Sequence, residues 1–426
     1  MPSTKKNIVI IGGGLCGLKV ATELSKKLKQ TPETSKHYRL VVVNDTNVHV
    51  YHSDLYEIAS AYNEKITQAC LTALEDSVCI KITDVAKKSG FTFYRDRVTT
   101  IDTETKKITL KKRETLDYEY LVVAVGSVTN YYNIPGIEDH SFPLKELTDA
   151  LTINCHLDQL FQERAEKKND EKVCIAIGGG GATGIEFSCE LIGFLNKLSK
   201  KYSFSRKDVD LSIIDGGYEF LKLGKKPNQI VKKRLKKLGI KPMQGTYIKG
   251  YENGNLILED KKTKKTSTQK NDVLIWTGGI KANPLLQSFS KLNKYGELDV
   301  NEMLECTAYP NIFAGGDNAT ITHPKTGEFI PKTGQFAAQE GKIIAYNIWA
   351  DINKQYKKQF KPLLKGYLVP LGGKRYMFIR GNIVFSGIIP FLMKKVLDIM
   401  YFNWYMPLTT AVTRIFTKEK IFVQND

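Results

Sequence analysis

Two stretches of this chain have the residue types and spacing to hold a pyrophosphate. They are Ile8-Val9-Ile10-Ile11-Gly12-Gly13-Gly14-Leu15-Cys16-Gly17 and Ile175-Ala176-Ile177-Gly178-Gly179-Gly180-Gly181-Ala182-Thr183-Gly184. Each is a β-branched run that ends in glycines and opens into an amphipathic stretch. At such a turn the first glycine makes the sharp strand-to-helix bend, the second lets backbone approach a phosphate, and the third lets helix and strand pack closely. Backbone N–H groups and the helix dipole then face the anion together. Gly12, Gly14 and Gly17 are the three positions in the first turn, and Gly179, Gly181 and Gly184 those in the second. Tight turns of this kind also occur without a ligand, but two in one chain, each between a strand and a helix, predict two bound dinucleotides.

An acid at the end of the next strand completes each pattern by accepting a hydrogen bond from a ribose hydroxyl. Here the acids are Asp45 and Asp215, 33 and 36 residues beyond Gly12 and Gly179. Both spacings exceed the usual figure of about 20, and the polar stretches 30–37 and 201–208 absorb the excess. An acid at Asp215 favours a 2′-hydroxyl over a 2′-phosphate, and so NADH over NADPH. The plain alternatives are a helix cap or turn residue for Asp45 and a surface residue at a strand end for Asp215. Three further glycine patterns follow buried runs: Gly126 after Tyr120–Val125, Gly279 after Val273–Trp276, and Gly316-Asp317 after Ile312–Ala314. Asp317 begins a helical turn, where an N-cap is the plain alternative. Glu186, two residues past Gly184, is placed to lie near whatever covers a nicotinamide, or simply to complement the helix dipole.

The elements that position these residues alternate as strand, helix, strand. Helices are expected over Leu18–Leu28, from about Leu144, and over Glu186 to about Lys200, with strands at Tyr38–Val43, Tyr120–Val125 and Leu211–Ile214. The expected fold is α/β with two Rossmann-like dinucleotide-binding domains. The first is split in sequence (residues 1–145 and 281–350), the second (146–280) is inserted, and residues 351–426 form a C-terminal membrane-associating region.

Composition narrows the function. The 426 residues carry 63 basic and 45 acidic side chains, a formal charge of +18, and 42% are hydrophobic. The densest basic run, Lys222–Lys241, holds Lys232, Lys233, Arg234, Lys236 and Lys237 without an acid and reads as a solvated helix face. No basic stretch is interleaved with aromatics, so no nucleic-acid partner is expected. The seven cysteines (Cys16, Cys70, Cys79, Cys155, Cys174, Cys189, Cys306) never form C-x-x-C, which suits a reducing compartment and predicts no metal site. The first strand begins within seven residues of Met1, so neither a secretory nor a transit peptide is expected.

The chain resembles the type II NADH:quinone oxidoreductases, single-subunit respiratory flavoproteins that do not pump protons. The resemblance rests on Val125-Gly126-Ser127-Val128-Thr129-Asn130, Ile134-Pro135-Gly136, Phe142-Pro143-Leu144-Lys145, Gly181-Ala182-Thr183-Gly184-Ile185-Glu186, Phe313–Ala319 and Gly334-Gln335-Phe336-Ala337-Ala338-Gln339-Glu340-Gly341. It implies that Gly12, Gly14, Gly17, Asp45, Gly126, Gly316 and Asp317 hold non-covalent FAD, and that Gly179, Gly181, Gly184, Glu186, Asp215 and Gly279 hold NADH. It places Glu186 at the nicotinamide–flavin contact, Gln335 and Gln339 in the quinone pocket, and Lys365, of Lys365-Gly366, near the flavin. It also implies a homodimer on the cytoplasmic face of a bacterial-type membrane. Three positions depart from the family pattern: Gly334 for alanine, Ala182 for proline, and Ser53-Asp54 for Pro-Leu in the segment after His49.

The tail Ile383–Met406 is apolar and aromatic but interrupted by Lys394, Lys395 and Asp398. It is expected to lie in the membrane plane as an amphipathic helix whose lysines reach anionic lipid; a core or dimerisation helix is the other reading. Two rival functions share the turns. A sulfide:quinone oxidoreductase needs a cysteine pair facing the flavin, yet no cysteine follows Asp317. An NADH-sensing flavoprotein that recruits partners would lack quinone-dependent turnover.

Overall fold

The computed structural model describes residues 5–62, 68–167 and 171–421, and Cys70 lies outside the described side chains. In chain order the elements used below begin with β1 Lys6–Ile11, α1 Leu15–Gln30, β2 Tyr38–Asn44, α2 Leu55–Ala59, β3 Thr92–Arg95, β4 Tyr120–Val123, β5 Ser141–Pro143 and α3 Leu147–Glu166. There follow β6 Val173–Gly178, α4 Ala182–Lys201, β7 Val209–Asp215, α5 Lys225–Lys237, β8 Lys241–Gln244, β9 Val273–Trp276 and β10 Ile312–Ala314. The last are α6 Gly334–Ile352, β11 Tyr367–Pro370, β12 Tyr376–Arg380, β13 Ile383–Gly387, α7 Ile388–Asn403 and α8 Leu408–Ile421.

The chain divides into two compact units. Unit 1 comprises Met1–Val50, Cys79–Val128 and Ile280–Lys365; unit 2 comprises Tyr51–Val78, Thr129–Gly279 and Gly366–Asp426. Each is built on a five-stranded parallel sheet, in the order β10-β4-β1-β2-β3 in unit 1 and β5-β9-β6-β7-β8 in unit 2. Such strands are covered on both faces, which is why they read as unbroken runs such as Ile8–Ile11 and Ile175–Ile177 rather than as alternating ones. In unit 1 the inner face of α1 packs along α6, and Thr31 and Thr34 meet Trp349 and Asn353 near their ends.

Three stretches join a unit other than the expected one: 51–62 with 68–78, 129–145, and 366–426, all of them in unit 2. Residues 51–62 belong to unit 2 because Asn154 of α3 donates from its amide to the carbonyls of Ala59 and Ala61, at 3.3 and 2.7 Å, and Asp54 is held from α7. Residues 366–426 are likewise part of unit 2 and not a separate region.

The tail corrects the expectation of one long interfacial helix. Ile383–Gly387 is a strand of the antiparallel sheet β11-β12-β13, and the helix begins only at Ile388, after Gly387 at φ +139°. Lys394 does not reach outward. It is buried, with Nζ 2.8 Å from Asp54 and 2.6 Å from Asp398, and Tyr51 donates to the same Asp398 oxygen at 2.8 Å. Burial alone would lower the lysine's pKa, but the two carboxylates more than reverse this and hold it well above its ordinary value. The departure at Asp54 thus has a physical partner in this chain. The solvent side of α7 carries Ile388, Ile389, Leu392, Val396, Leu397 and Met400, all near half exposed or more. The helix is inside out, with charge in the core and hydrocarbon outside.

Arg234 is a smaller correction. It does not lie on the solvated face of the basic run but is buried, and its guanidinium donates to the carbonyls of Leu371 and Gly372 at 2.7 and 3.0 Å.

Candidate functional site

The two turns have the same construction. Gly12 N–H donates to Val43 at 2.9 Å and Gly179 N–H to Ile214 at 2.8 Å, which ties each turn to the neighbouring strand. Gly12 and Gly179 sit at φ +104° and +115°, and a Cβ there would lie 2.2 Å from the Ala124 carbonyl oxygen and 2.6 Å from that of Thr277. Gly17 and Gly184 are excluded from substitution by closeness alone, since a Cβ would stand 2.0 Å from the Gly12 and Gly179 oxygens respectively.

Gly14 and Gly181 differ from these. A Cβ on either meets nothing within 4 Å, and each precedes its helix without a side-chain cap. The first N–H groups of α1 and α4 therefore face open space at the positive end of a helix, a cradle fitted to a phosphate pair. Both turns pass this test for a dinucleotide.

The acids do not occupy equivalent places. In unit 2, Asp215 accepts from Gly180 N–H at 2.7 Å and from Gly217 N–H at 2.6 Å. Its counterpart in unit 1 is Asn44, whose amide oxygen accepts from Gly13 N–H at 2.8 Å. Asp45 lies one residue further on, exposed and paired with Arg97 at 3.1 Å. Counting from the strand end found Asp215, but in unit 1 it passed over an uncharged residue in the same geometry. The turn of unit 1 is also braced by buried His49, whose Nδ1 lies 2.7 Å from the Gly13 carbonyl oxygen.

Around Gly316-Asp317, unit 1 forms a cleft lined in part by Asp317, Lys332, Thr333, Ala337 and Glu340. Ser127 donates to Asp317 at 2.6 Å, and Lys332 Nζ donates to the Asp317 carbonyl at 2.8 Å. Fully buried Asn318 accepts from Gly126 N–H at 3.1 Å and donates to the Val123 carbonyl at 2.9 Å, which joins the Gly126 turn to the Gly316 turn. Glu340 accepts from Gly316 N–H at 2.7 Å. Burial pushes its carboxyl up to about 7, opposed by that hydrogen bond and reinforced by Asp317. Asn318 and Glu340 were not picked out from the sequence. The available signal for Glu340 is an acid between Gln339 and Gly341 in the first turns of a helix whose next acid is Asp351.

Gln335 and Gln339 lie one turn apart on α6, as expected, but their amides are engaged. Gln339 donates to the carbonyls of Gln335 and Leu363, both at 3.0 Å, and accepts from Leu363 N–H at 3.0 Å; Gln335 accepts from Lys365 N–H at 3.0 Å. The glutamines clamp residues 363–365 and so place exposed Lys365 beside the start of α6.

In unit 2, burial pushes the Glu186 carboxyl up to about 8. Lys394 opposes the shift, and Asp54 and Glu57 add to it. Glu190, one turn on, is raised by burial and by Glu57, also to about 8, while accepting from Gly373 N–H at 3.2 Å. Gly279, at φ +156°, is covered by Tyr132, whose hydroxyl would be 2.3 Å from a Cβ there. Among the described residues no group of histidine, cysteine and acidic side chains could hold a metal ion.

The chain is 29% identical over 399 residues to the type II NADH:quinone oxidoreductase of Haemophilus influenzae, covering 86% of this chain and 85% of that one. The structure of NDH2 from Plasmodium falciparum in complex with NADH superposes at a TM-score of 0.84 with 19% identity and 97% coverage of both chains. The sulfide:quinone oxidoreductase of Aquifex aeolicus superposes at 0.75 with 20% identity, covering 96% of this chain and 92% of that one. The family model for pyridine nucleotide-disulphide oxidoreductases matches residues 6–341, a span that takes in both turns, Asp317 and the two glutamines, and the chain belongs to that family.

Proposed function

We propose that this protein oxidises NADH and passes two electrons, by way of bound FAD, to a quinone dissolved in a membrane, without pumping protons. The observation that carries the reading is the pairing of two intact pyrophosphate cradles with an outward hydrocarbon face on α7. FAD, when bound, takes a hydride from the nicotinamide and returns two electrons to a quinone.

The chain supplies binding, orientation and electrostatics. Gly12, Gly14 and Gly17 form the FAD turn, with Asn44 shaping it and Asp45 beyond it; Gly126, Gly316 and Asp317 lie where the ribityl chain and flavin would be held. Gly179, Gly181 and Gly184 form the NADH turn, Asp215 accepts from the ribose, and Gly279 closes the strand beside it. Glu186 sits at the start of α4 with a raised pKa, so it carries a proton at neutral pH beside the nicotinamide end. Gln335 and Gln339 act by holding residues 363–365, and thereby Lys365, in place.

The quinone enters from the bilayer, against which the protein lies peripherally. No described helix is long and apolar enough to cross a membrane, whereas α7 is apolar where it meets solvent. Burial of one leucine-sized side chain contributes about 1.5–3 kcal/mol, so a few of these residues suffice for attachment. The cytoplasmic face is where NADH is available, and self-association as a homodimer rests on the resemblance alone. The sulfide:quinone reading lacks its chemistry, because no cysteine follows Asp317.

Purified holoprotein should oxidise NADH rapidly when a quinone is supplied and only slowly without one. Bleaching of the flavin by NADH with no quinone-dependent turnover would overturn the assignment in favour of a sensor.

A further inference from the structure

We infer that helix α5, in the nucleotide-binding part of unit 2, is a second membrane contact, and that it binds the phosphates of anionic lipid headgroups. The inference rests on the membrane reading above and adds a surface and a lipid class to it.

Charge is concentrated here far beyond the chain's average. Residues 220–251 contain ten lysines and arginines and no acid, against an excess of 18 for the whole chain. Binding NADH does not call for this, since the second turn already meets the pyrophosphate with backbone N–H groups. On α5 the buried side is made by Pro227, Val231, Arg234 and Leu235, while Lys225, Lys226, Lys232, Lys233, Lys236 and Lys237 are all exposed. Among the described residues none of these six lysines has an ion-pair partner.

The helix is fixed to the part of the unit that would meet the bilayer. Arg234 donates twice to the turn between β11 and β12, and α5 packs against β13. That strand exposes Ile383 and Phe385 and leads directly into α7 with its outward hydrocarbon. A basic helix and an apolar helix thus grow from one small sheet, an arrangement suited to an anionic interface with hydrocarbon beneath it. Lysine also suits this task, because its ammonium acts as a point charge that many headgroup geometries can meet.

The test uses full-length holoprotein and flotation with vesicles of phosphatidylcholine alone or mixed with phosphatidylglycerol. Combined Lys225→Gln, Lys226→Gln, Lys232→Gln and Lys233→Gln should lower affinity for the anionic vesicles roughly tenfold to a hundredfold at low salt. The loss should fade in high salt as screening removes the attraction from the unmodified protein. Binding to neutral vesicles, flavin content and the rate of flavin reduction by NADH should not change. Equal flotation of both proteins with anionic vesicles would overturn the inference, as would a raised KM for NADH with unchanged flotation, which would make the helix a substrate-steering surface. A double change of Ile389→Ser and Leu392→Ser tests the underlying reading separately. If it leaves neutral-vesicle binding intact, or if the unmodified protein floats with no vesicle, the membrane reading itself has failed.

Discussion

The two units share one glycine-turn construction but differ in what they bury behind it. Unit 1 places a buried carboxyl, Glu340, beneath Gly316 and braces its turn with Asn44 and His49. Unit 2 uses a charged Asp215 on its turn and buries Lys394 between Asp54 and Asp398, with Glu57, Glu186 and Glu190 nearby in the same unit. Backbone geometry is therefore the common requirement of the two sites. Charge is what differs between them.

The glycines should give the largest effects, and should separate the units. Gly17→Ala puts a methyl 2.0 Å from the Gly12 oxygen, and the protein should lose its flavin almost entirely, read as flavin absorbance per chain. Gly184→Ala makes the same clash with Gly179, yet it should retain flavin and lose reduction by NADH by more than about tenfold. If both changes expel flavin, the turns do not serve separate ligands.

Buried charge comes next and should act with opposite signs in the two units. Lys394→Met leaves two carboxylates uncompensated, a loss of about 3–5 kcal/mol in urea unfolding; joint replacement of Asp54 and Asp398 by leucine should restore most of it. Glu340→Gln should do the reverse above neutrality. Its carboxyl is raised from 4.5 to about 7, so the stability it contributes is present below 4.5 and is lost as pH rises through about 7. The glutamine variant should therefore melt higher than the parent above about pH 7 and not at about pH 4.5.

The smallest effect should come from Asp215→Asn, which gives unit 2 the residue type found in unit 1. The preference for NADH over NADPH should fall by about tenfold, equivalent to about 1.4 kcal/mol, as measured by the ratio of kcat/KM values. An unchanged ratio would mean that Asp215 only shapes its turn, as Asn44 does.

Local features were legible in the sequence and long-range ones were not. The turns and the parallel strands follow from glycine spacing and β-branched runs, which are properties of neighbours along the chain, whereas α4 begins at Ala182, four residues before the expected Glu186. Asp45 stands out over Asn44 because charge is visible in a sequence, whereas a hydrogen bond to Gly13 is not. Asp398, one helical turn beyond Lys394, is visible in the sequence, but the second carboxylate that buries this lysine, Asp54, lies 340 residues away, and pairing across that separation leaves no periodic trace. The glutamines were placed correctly on one helix face, but their engagement with residues 363–365 depends on a return of the chain after α6 that no spacing rule predicts.

The order of strands also has a consequence for biosynthesis. The sheet of unit 2 has its last strand once Trp276 is made, whereas the sheet of unit 1 must wait for Ile312–Ala314 to align beside β4, which was synthesised almost two hundred residues earlier. At roughly 5–20 residues per second, β4 spends many seconds without β10, its neighbour at the sheet edge. The sheet begun first is thus the one completed last. A nascent chain that has emerged from the ribosome only as far as residues 280–310 should already have its inserted sheet and not yet be able to retain flavin.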